Sequence, residues 1–204
     1  MVGIKNLIFD FGGVIINLAR SRCIEAFESL GVVGVRELLV NNYQHKELFM
    51  QVELGTITPD EFREGIRLLS QQSLTDEQID AAWIAMLGDV PDYKLELLLK
   101  LRKQYHTMLL SNTNAIHWEW SEKTCFAYKG HQASDFFHRI YLSYELHKLK
   151  PNADIFEQVI QETGIRPEET LFIDDAIPNC RTAESLGLRT YTPQAGEDWS
   201  HLFS

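Results

Sequence analysis

The chain alternates short apolar runs with stretches of helical periodicity, and this alternation restricts it to a parallel sheet flanked by helices. Ile4 to Phe9 is one such run, closed by Asp10 and followed by Gly12 and Gly13; it reads as a buried strand feeding a turn. Thr107 to Ser111, Arg139 to Ser143 and Thr170 to Asp174 repeat the pattern, and Leu188 to Tyr191 makes a weaker fifth. Between them, Asp92 to Gln104 places Leu95, Leu98 and Leu99 on one side, and Pro151 suits a first helical position ahead of Ile155, Phe156, Val159 and Ile160. Ile177 to Leu186 completes the set. The expected fold is α/β, with a Rossmann-like parallel sheet in a three-layer α/β/α core. Ligands of such sheets sit beyond the carboxyl ends of the strands, where Asp10, Ser111 and Asp174 close their runs.

More than 80 residues separate the first two runs, far more than one crossover helix needs. Thr58-Pro-Asp-Glu61 and Thr75-Asp-Glu-Gln78 are capping boxes, each followed by apolar residues at helical spacing, and Arg20 to Leu30 carries Cys23, Ile24, Phe27 and Leu30. The expected division is a core of 1–17 plus 91–204 and an α-helical cap, 18–90, inserted after the first strand.

A formal net charge of −10 argues against a nucleic-acid partner, whose phosphates require clustered Lys and Arg. It is compatible with one phosphorylated small molecule, which a single Lys and a few backbone N–H groups can hold. Cys23, Cys125 and Cys180 lie far apart and read as reduced structural thiols. No apolar stretch is long enough to span a bilayer. Asp10 interrupts the apolar run that a secretory leader would continue, so a cytoplasmic protein without membrane partner is expected.

Asp10, Asp174 and Asp175 end two strands of one sheet. Two carboxylates about 5 Å apart repel by roughly 3 kcal/mol at an effective dielectric near 20, so such a cluster takes up protons or holds a cation. A few hard oxygen ligands favour Mg²⁺. Taken alone, Asp174–Asp175 would be a helix cap in solvent.

Four features in order alter that reading: Phe9-Asp10-Phe-Gly-Gly-Val14, Leu109-Leu-Ser111-Asn112-Thr113-Asn114, Lys148-Leu-Lys150-Pro151, and Phe172-Ile-Asp174-Asp175-x-x-x-Asn179. Together they resemble the four motifs of the haloacid dehalogenase (HAD) superfamily, with the best likeness to small sugar phosphatases of the α-glucose-1-phosphate phosphatase type. The resemblance implies a Mg²⁺-dependent phosphatase acting on a small phosphorylated metabolite such as a hexose 1-phosphate, as a monomer or weak homodimer. It implies that Asp10 attacks phosphorus and forms an aspartyl-phosphate, and that Ser111 and the Asn112 N–H hold phosphoryl oxygens. Lys150 would neutralise charge on phosphate and nucleophile. Asp10, the Gly12 carbonyl, Asp174 and Asp175 would surround the metal.

One position departs from the superfamily pattern. Most of its phosphatases carry a second Asp two residues after the nucleophile, and here that residue is Gly12. A substrate with a better leaving group, or an acid from Tyr43, His45, Glu47 or Glu53, would fill the gap. The alternatives are a catalytically silent protein that binds a phosphorylated ligand and a metal-independent 2-haloacid dehalogenase, against which the Asp174–Asp175 pair speaks. Trp118 and Trp120 are expected to pack beneath a long connection rather than form a partner surface.

Overall fold

The computed structural model describes residues 2–36, 47–70, 72–194 and 196–203. Five parallel strands, β1 (Asn6–Phe9), β2 (His106–Ser111), β3 (Arg139–Leu142), β4 (Thr170–Ile173) and β5 (Arg189–Tyr191), lie in the order β3-β2-β1-β4-β5. Each falls on a run expected from the sequence. The helices among the described residues are α1 (Arg20–Ser29), α2 (Glu47–Leu54), α3 (Pro59–Leu69), α4 (Asp76–Ile84), α5 (Asp92–Leu101), α6 (Ala115–Thr124), α7 (Ala133–Phe136), α8 (Ser143–Leu146), α9 (Ala153–Thr163) and α10 (Ile177–Ser185).

β1 is central and all four of its residues are buried. Successive strand residues face opposite ways. Leu7 and Phe9 therefore join Leu95, Leu98, Leu101 and Trp118 of α5 and α6 in one apolar cluster. Ile8 joins Ile155, Phe156 and Val159 of α9 and Ala183 of α10 in another. Helices thus cover both faces, the three-layer arrangement that the alternation predicts. Each fully buried Leu, Ile or Phe in these layers contributes roughly 1.5–3 kcal/mol relative to exposure.

Three local expectations change. The helix expected to reach Gln104 ends at Leu101, whose carbonyl accepts from both Gln104 and Tyr105 N–H and turns the chain into β2. Pro151 is not a first helical position: α9 begins at Ala153, after Asn152 in an extended conformation (ψ 142°). The long connection after β2 is not a loop, because the Asn114 side chain accepts from His117 N–H and caps α6. Trp118 then packs in the core, and Trp120 is partly buried against it.

Between β1 and β2, helices α1 to α4 share their own apolar cluster, centred on Phe27, Phe49, Phe62, Ile66, Ile79 and Trp83. Both capping boxes form, Thr58 with Glu61 and Thr75 with Gln78, so the local sequence dictates where α3 and α4 start. The two chain crossings into this stretch are zipped together: Ala19 N–H donates to Met86 O and Gly88 N–H to Asn17 O, both at 2.8 Å.

Two residues of α6 reach into the helical cluster, Ile116 by apolar packing and His117 by its ring. The His117 ring stacks on Trp83 with centroids 4.4 Å apart, and its Nε2 donates to the Trp83 carbonyl at 3.0 Å. Burial pushes His117 down from 6.5 to about 4, against the opposing pull of that hydrogen bond. The folded chain therefore binds fewer protons here than the unfolded one. Stability is complete above about pH 6.5 and falls as the pH drops toward 4, by about 3 kcal/mol in total. Asp10, whose carboxyl is raised to about 7, contributes the opposite slope over the same range, so the His117 contribution is read from the difference between wild type and His117→Gln, which cannot titrate. Denaturant melts should show the stability gap between them changing by that amount between these limits.

Cys23, Cys125 and Cys180 are free and buried, as structural thiols are expected to be. No helix among the described residues is long and apolar enough to cross a membrane.

Candidate active site

The sheet register brings the acidic residues together. Phe9 pairs with Ile173 in parallel strands, so Asp10 and Asp174, each one residue further on, emerge side by side. Asp10 N–H donates to Ile173 O at 2.8 Å and fixes the exit of β1. One carboxylate oxygen from each of Asp10, Asp174 and Asp175 lies within 4.8 Å of the others. Asp10 and Asp174 are buried, whereas Asp175 is exposed.

Lys150 sits between them. Its side chain is 1% exposed, and its Nζ lies 2.9 Å from Asp10 Oδ1 and 2.6 Å from Asp174 Oδ2 while donating to Leu110 O at 2.8 Å. A surface lysine beside a helix start is thereby excluded. Asn112 holds the backbone beneath it: its Oδ1 accepts from Lys150 N–H and its Nδ2 donates to Lys150 O, both at 2.9 Å. Both peptide groups flanking the Lys150 Cα are engaged with Asn112, which places the lysine before any helix begins. Lys148, its near neighbour in sequence, instead points at the Asp154 carbonyl, 3.4 Å away.

Asp174 is fully enclosed. Its Oδ1 accepts from Ala176 N–H at 2.8 Å, and Asn179 Nδ2 stands 3.0 Å from both oxygens. With Lys150 added, its oxygens are already engaged by protein donors. Asp175 is different: among the described residues no cation forms an ion pair with it. Gly13 makes room for it. A Cβ on Gly13, whose φ is +76°, would stand 2.2 Å from Asp175 Oδ2, so only glycine lets the turn pass the carboxylate.

The electrostatics suit a cation. Burial pushes the Asp10 carboxyl up to about 7, and the Asp174 and Asp175 charges push the same way against Lys150. Asp175 is raised as well, chiefly by partial loss of water around its carboxylate although the residue as a whole is exposed, and then by Asp174. Lys150 is held protonated by Asp10 and Asp174 although burial acts against it. The donor set is three carboxylates in close reach, with Asp10 and Asp175 the least engaged by protein, which fits a hard divalent ion.

Ser111 is 2% exposed and ends β2 next to β1, with Asn112 following. Gly12 lies on the turn after Asp10, where a Cβ would meet Leu18 Cδ1 at 3.1 Å. A cleft of about 560 Å³ opens beside Asp175, lined by Gly13, Asn17, Leu18, Arg20 and Gly196. Of the residues considered as proton donors, Tyr43 and His45 lie outside the described residues, Glu47 is exposed, and Glu53 is half-buried with its carbonyl accepting from Ser143 Oγ. Sequence reasoning assigned no role to Asn179, although it stands in the fourth motif. Nor did it single out Gly13, whose only sequence signal is its place in a glycine pair.

A haloacid dehalogenase-like hydrolase family model matches residues 4–187. The chain belongs to that family. The D-ribitol-5-phosphate phosphatase of Bacteroides thetaiotaomicron is 37% identical to it over 196 residues, 96% of this chain and 95% of the relative. A HAD family enzyme from the same organism, solved as an aspartate-to-alanine variant with magnesium and inorganic phosphate, superposes with TM-score 0.95 at 52% identity, covering 98% and 99% of the two chains. A HAD-like family hydrolase of Porphyromonas gingivalis superposes with TM-score 0.91 at 37% identity, covering 99% and 97%.

Proposed function

We propose that this HAD-like hydrolase is a Mg²⁺-dependent phosphatase of a small phosphorylated metabolite, a sugar or sugar-alcohol phosphate. The observation that carries this reading is the convergence of Asp10, Asp174, Asp175 and Lys150 at one strand edge. The magnesium and phosphate complex of the related enzyme and the ribitol-phosphate activity named for the relative support it. So does the Asp174–Asp175 pair, which a metal-independent dehalogenase has no use for.

In this reading Asp10 is the nucleophile and leaves an aspartyl-phosphate that water hydrolyses. Asp10, Asp175 and the Gly12 carbonyl hold Mg²⁺, with Asp174 behind them. The ion supplies charge for the phosphoryl oxygens. Lys150 adds positive charge between nucleophile and phosphate, and Ser111 with the Asn112 N–H takes the remaining oxygens. The helical stretch 18–90 serves as a cap, and the leaving group occupies the cleft beside Asp175.

Gly12 favours a second reading, a protein that binds such a ligand without turning it over. General acid–base help is worth about 10²–10⁴ in rate, and Gly12 carries no proton. A panel of hexose 1-phosphates, pentitol phosphates and acyl phosphates, assayed with Mg²⁺ and with chelator, decides between them. Phosphate release only in the presence of Mg²⁺ is expected. Ligand binding with no release from any member would favour the silent protein.

Metal binding should also expel protons. With the Asp10 carboxyl raised to about 7, a cation that requires the ionised form displaces about half a proton at neutral pH. The release should grow as pH falls below 7 and vanish well above it. Calorimetric titration in two buffers of different ionisation enthalpy measures it.

A further inference from the structure

Lys94, on α5, is 1% exposed. Asp89 and Asp198 act on it only through space, and burial outweighs them, pushing its pKa down. Its ammonium donates to the Val14 carbonyl at 2.6 Å. The Trp199 indole N–H, from the C-terminal 3-10 turn Trp199–Phe203, donates to the same oxygen at 2.9 Å. Among the described residues no carboxylate forms an ion pair with it; such a buried ammonium is costly, and an aliphatic side chain would fill the same space without that cost. Packing alone does not account for a cation here.

The oxygen it holds belongs to the turn that leaves Asp10. Within that turn Gly13 N–H donates to Ile16 O at 2.8 Å, and Ile15 and Ile16 N–H donate to Phe11 O at 2.9 and 3.0 Å. At Gly13 the turn runs against the Asp175 carboxylate so closely that no Cβ fits. The Trp199 ring also lies 5.4 Å from that of Phe9, the residue before Asp10. Any displacement of the turn therefore moves one wall of the acidic cluster relative to the other.

We propose that Lys94 and Trp199 are positioning residues whose shared grip on the Val14 carbonyl clamps the Phe11–Ile16 turn and sets the Asp10–Asp175 spacing at which a divalent cation binds. The link to the cation rests on the magnesium reading above; the clamp does not.

Lys94→Met keeps most of the stem and removes the donor. In the metal-free variant, amide hydrogens of Gly13, Ile15 and Ile16 are expected to exchange at least about tenfold faster. Mg²⁺ affinity measured by calorimetry should fall at least about tenfold. Ile155→Val, in the apolar cluster on the other face of the sheet, is the comparison for general loss of stability and should change neither. Trp199→Phe, which keeps an aromatic ring and loses the N–H, tests the same clamp if Lys94→Met does not fold. Unchanged exchange in both variants would overturn the clamp, and faster exchange with unaltered Mg²⁺ affinity would overturn its link to the cation. A wild-type protein with no Mg²⁺ affinity would sink the metal reading alone, leaving amide exchange to decide the clamp.

Discussion

Asp10→Asn is expected to lower phosphate release by about 10⁴-fold or more while the protein stays folded. Removing a nucleophile takes away the covalent route, and losses of roughly 10⁴–10⁶ are typical when such a group is deleted. The exchange of carboxylate for carboxamide is nearly isosteric, so the Phe11 N–H still finds its acceptor, now the amide oxygen, where Asp10 Oδ1 stood 2.7 Å away. Lys150 keeps Asp174 and the Leu110 carbonyl. The fold should lose little, because Asp10 is a buried carboxylate held against its own preference for protonation. Rates measured with saturating Mg²⁺, beside a thermal melt, separate the two effects. Release at the wild-type rate would remove Asp10 from the reaction.

Lys150→Met should have the largest effect on stability. The lysine is a cation between two carboxylates in a nearly water-free site, with ammonium-to-oxygen distances of 2.9 and 2.6 Å. Breaking a buried pair from one side leaves charge without compensation, at a cost of about 3–5 kcal/mol. The direction with pH follows from which protons are bound. Without Lys150 the folded-state Asp10 carboxyl rises further above its unfolded value, so the folded variant binds more protons than the unfolded chain and its stability falls as pH rises. The deficit against wild type should therefore be greatest near neutral pH and shrink toward pH 5, as denaturant melts in the metal-free state can show. A deficit constant across that range would mean that the lysine acts by packing rather than by charge.

Asp10 and Asp174 were legible because each ends a short apolar run and a parallel register carries such ends to one edge. The capping boxes at Thr58 and Thr75 were legible because hydrogen bonds within four residues do not depend on the rest of the chain. Pro151 misled because proline satisfies a helix start locally, whereas Asn112, 38 residues away, engages the peptide groups on both sides of Lys150. The helix after Asn114 was missed although its cap is local: Trp118 and Trp120 read as loop aromatics until the core showed what they pack against.

Lys94 marks the boundary between the two kinds of information. In the sequence it is a lysine in a leucine-rich helix, indistinguishable from the solvated lysines around it. Its burial and its grip on Val14, 80 residues earlier, exist only once α5 has docked on the sheet. Strand runs, helix starts and the order of the acidic motifs depend on neighbours within a turn or two, so residue spacing alone carried them. Which charge is desolvated, which carboxylate keeps a free oxygen and which backbone carbonyl receives two donors depend on groups far apart in the chain. Dielectric environment and hydrogen-bond partners are properties of three-dimensional neighbours, and only the packed molecule supplies those.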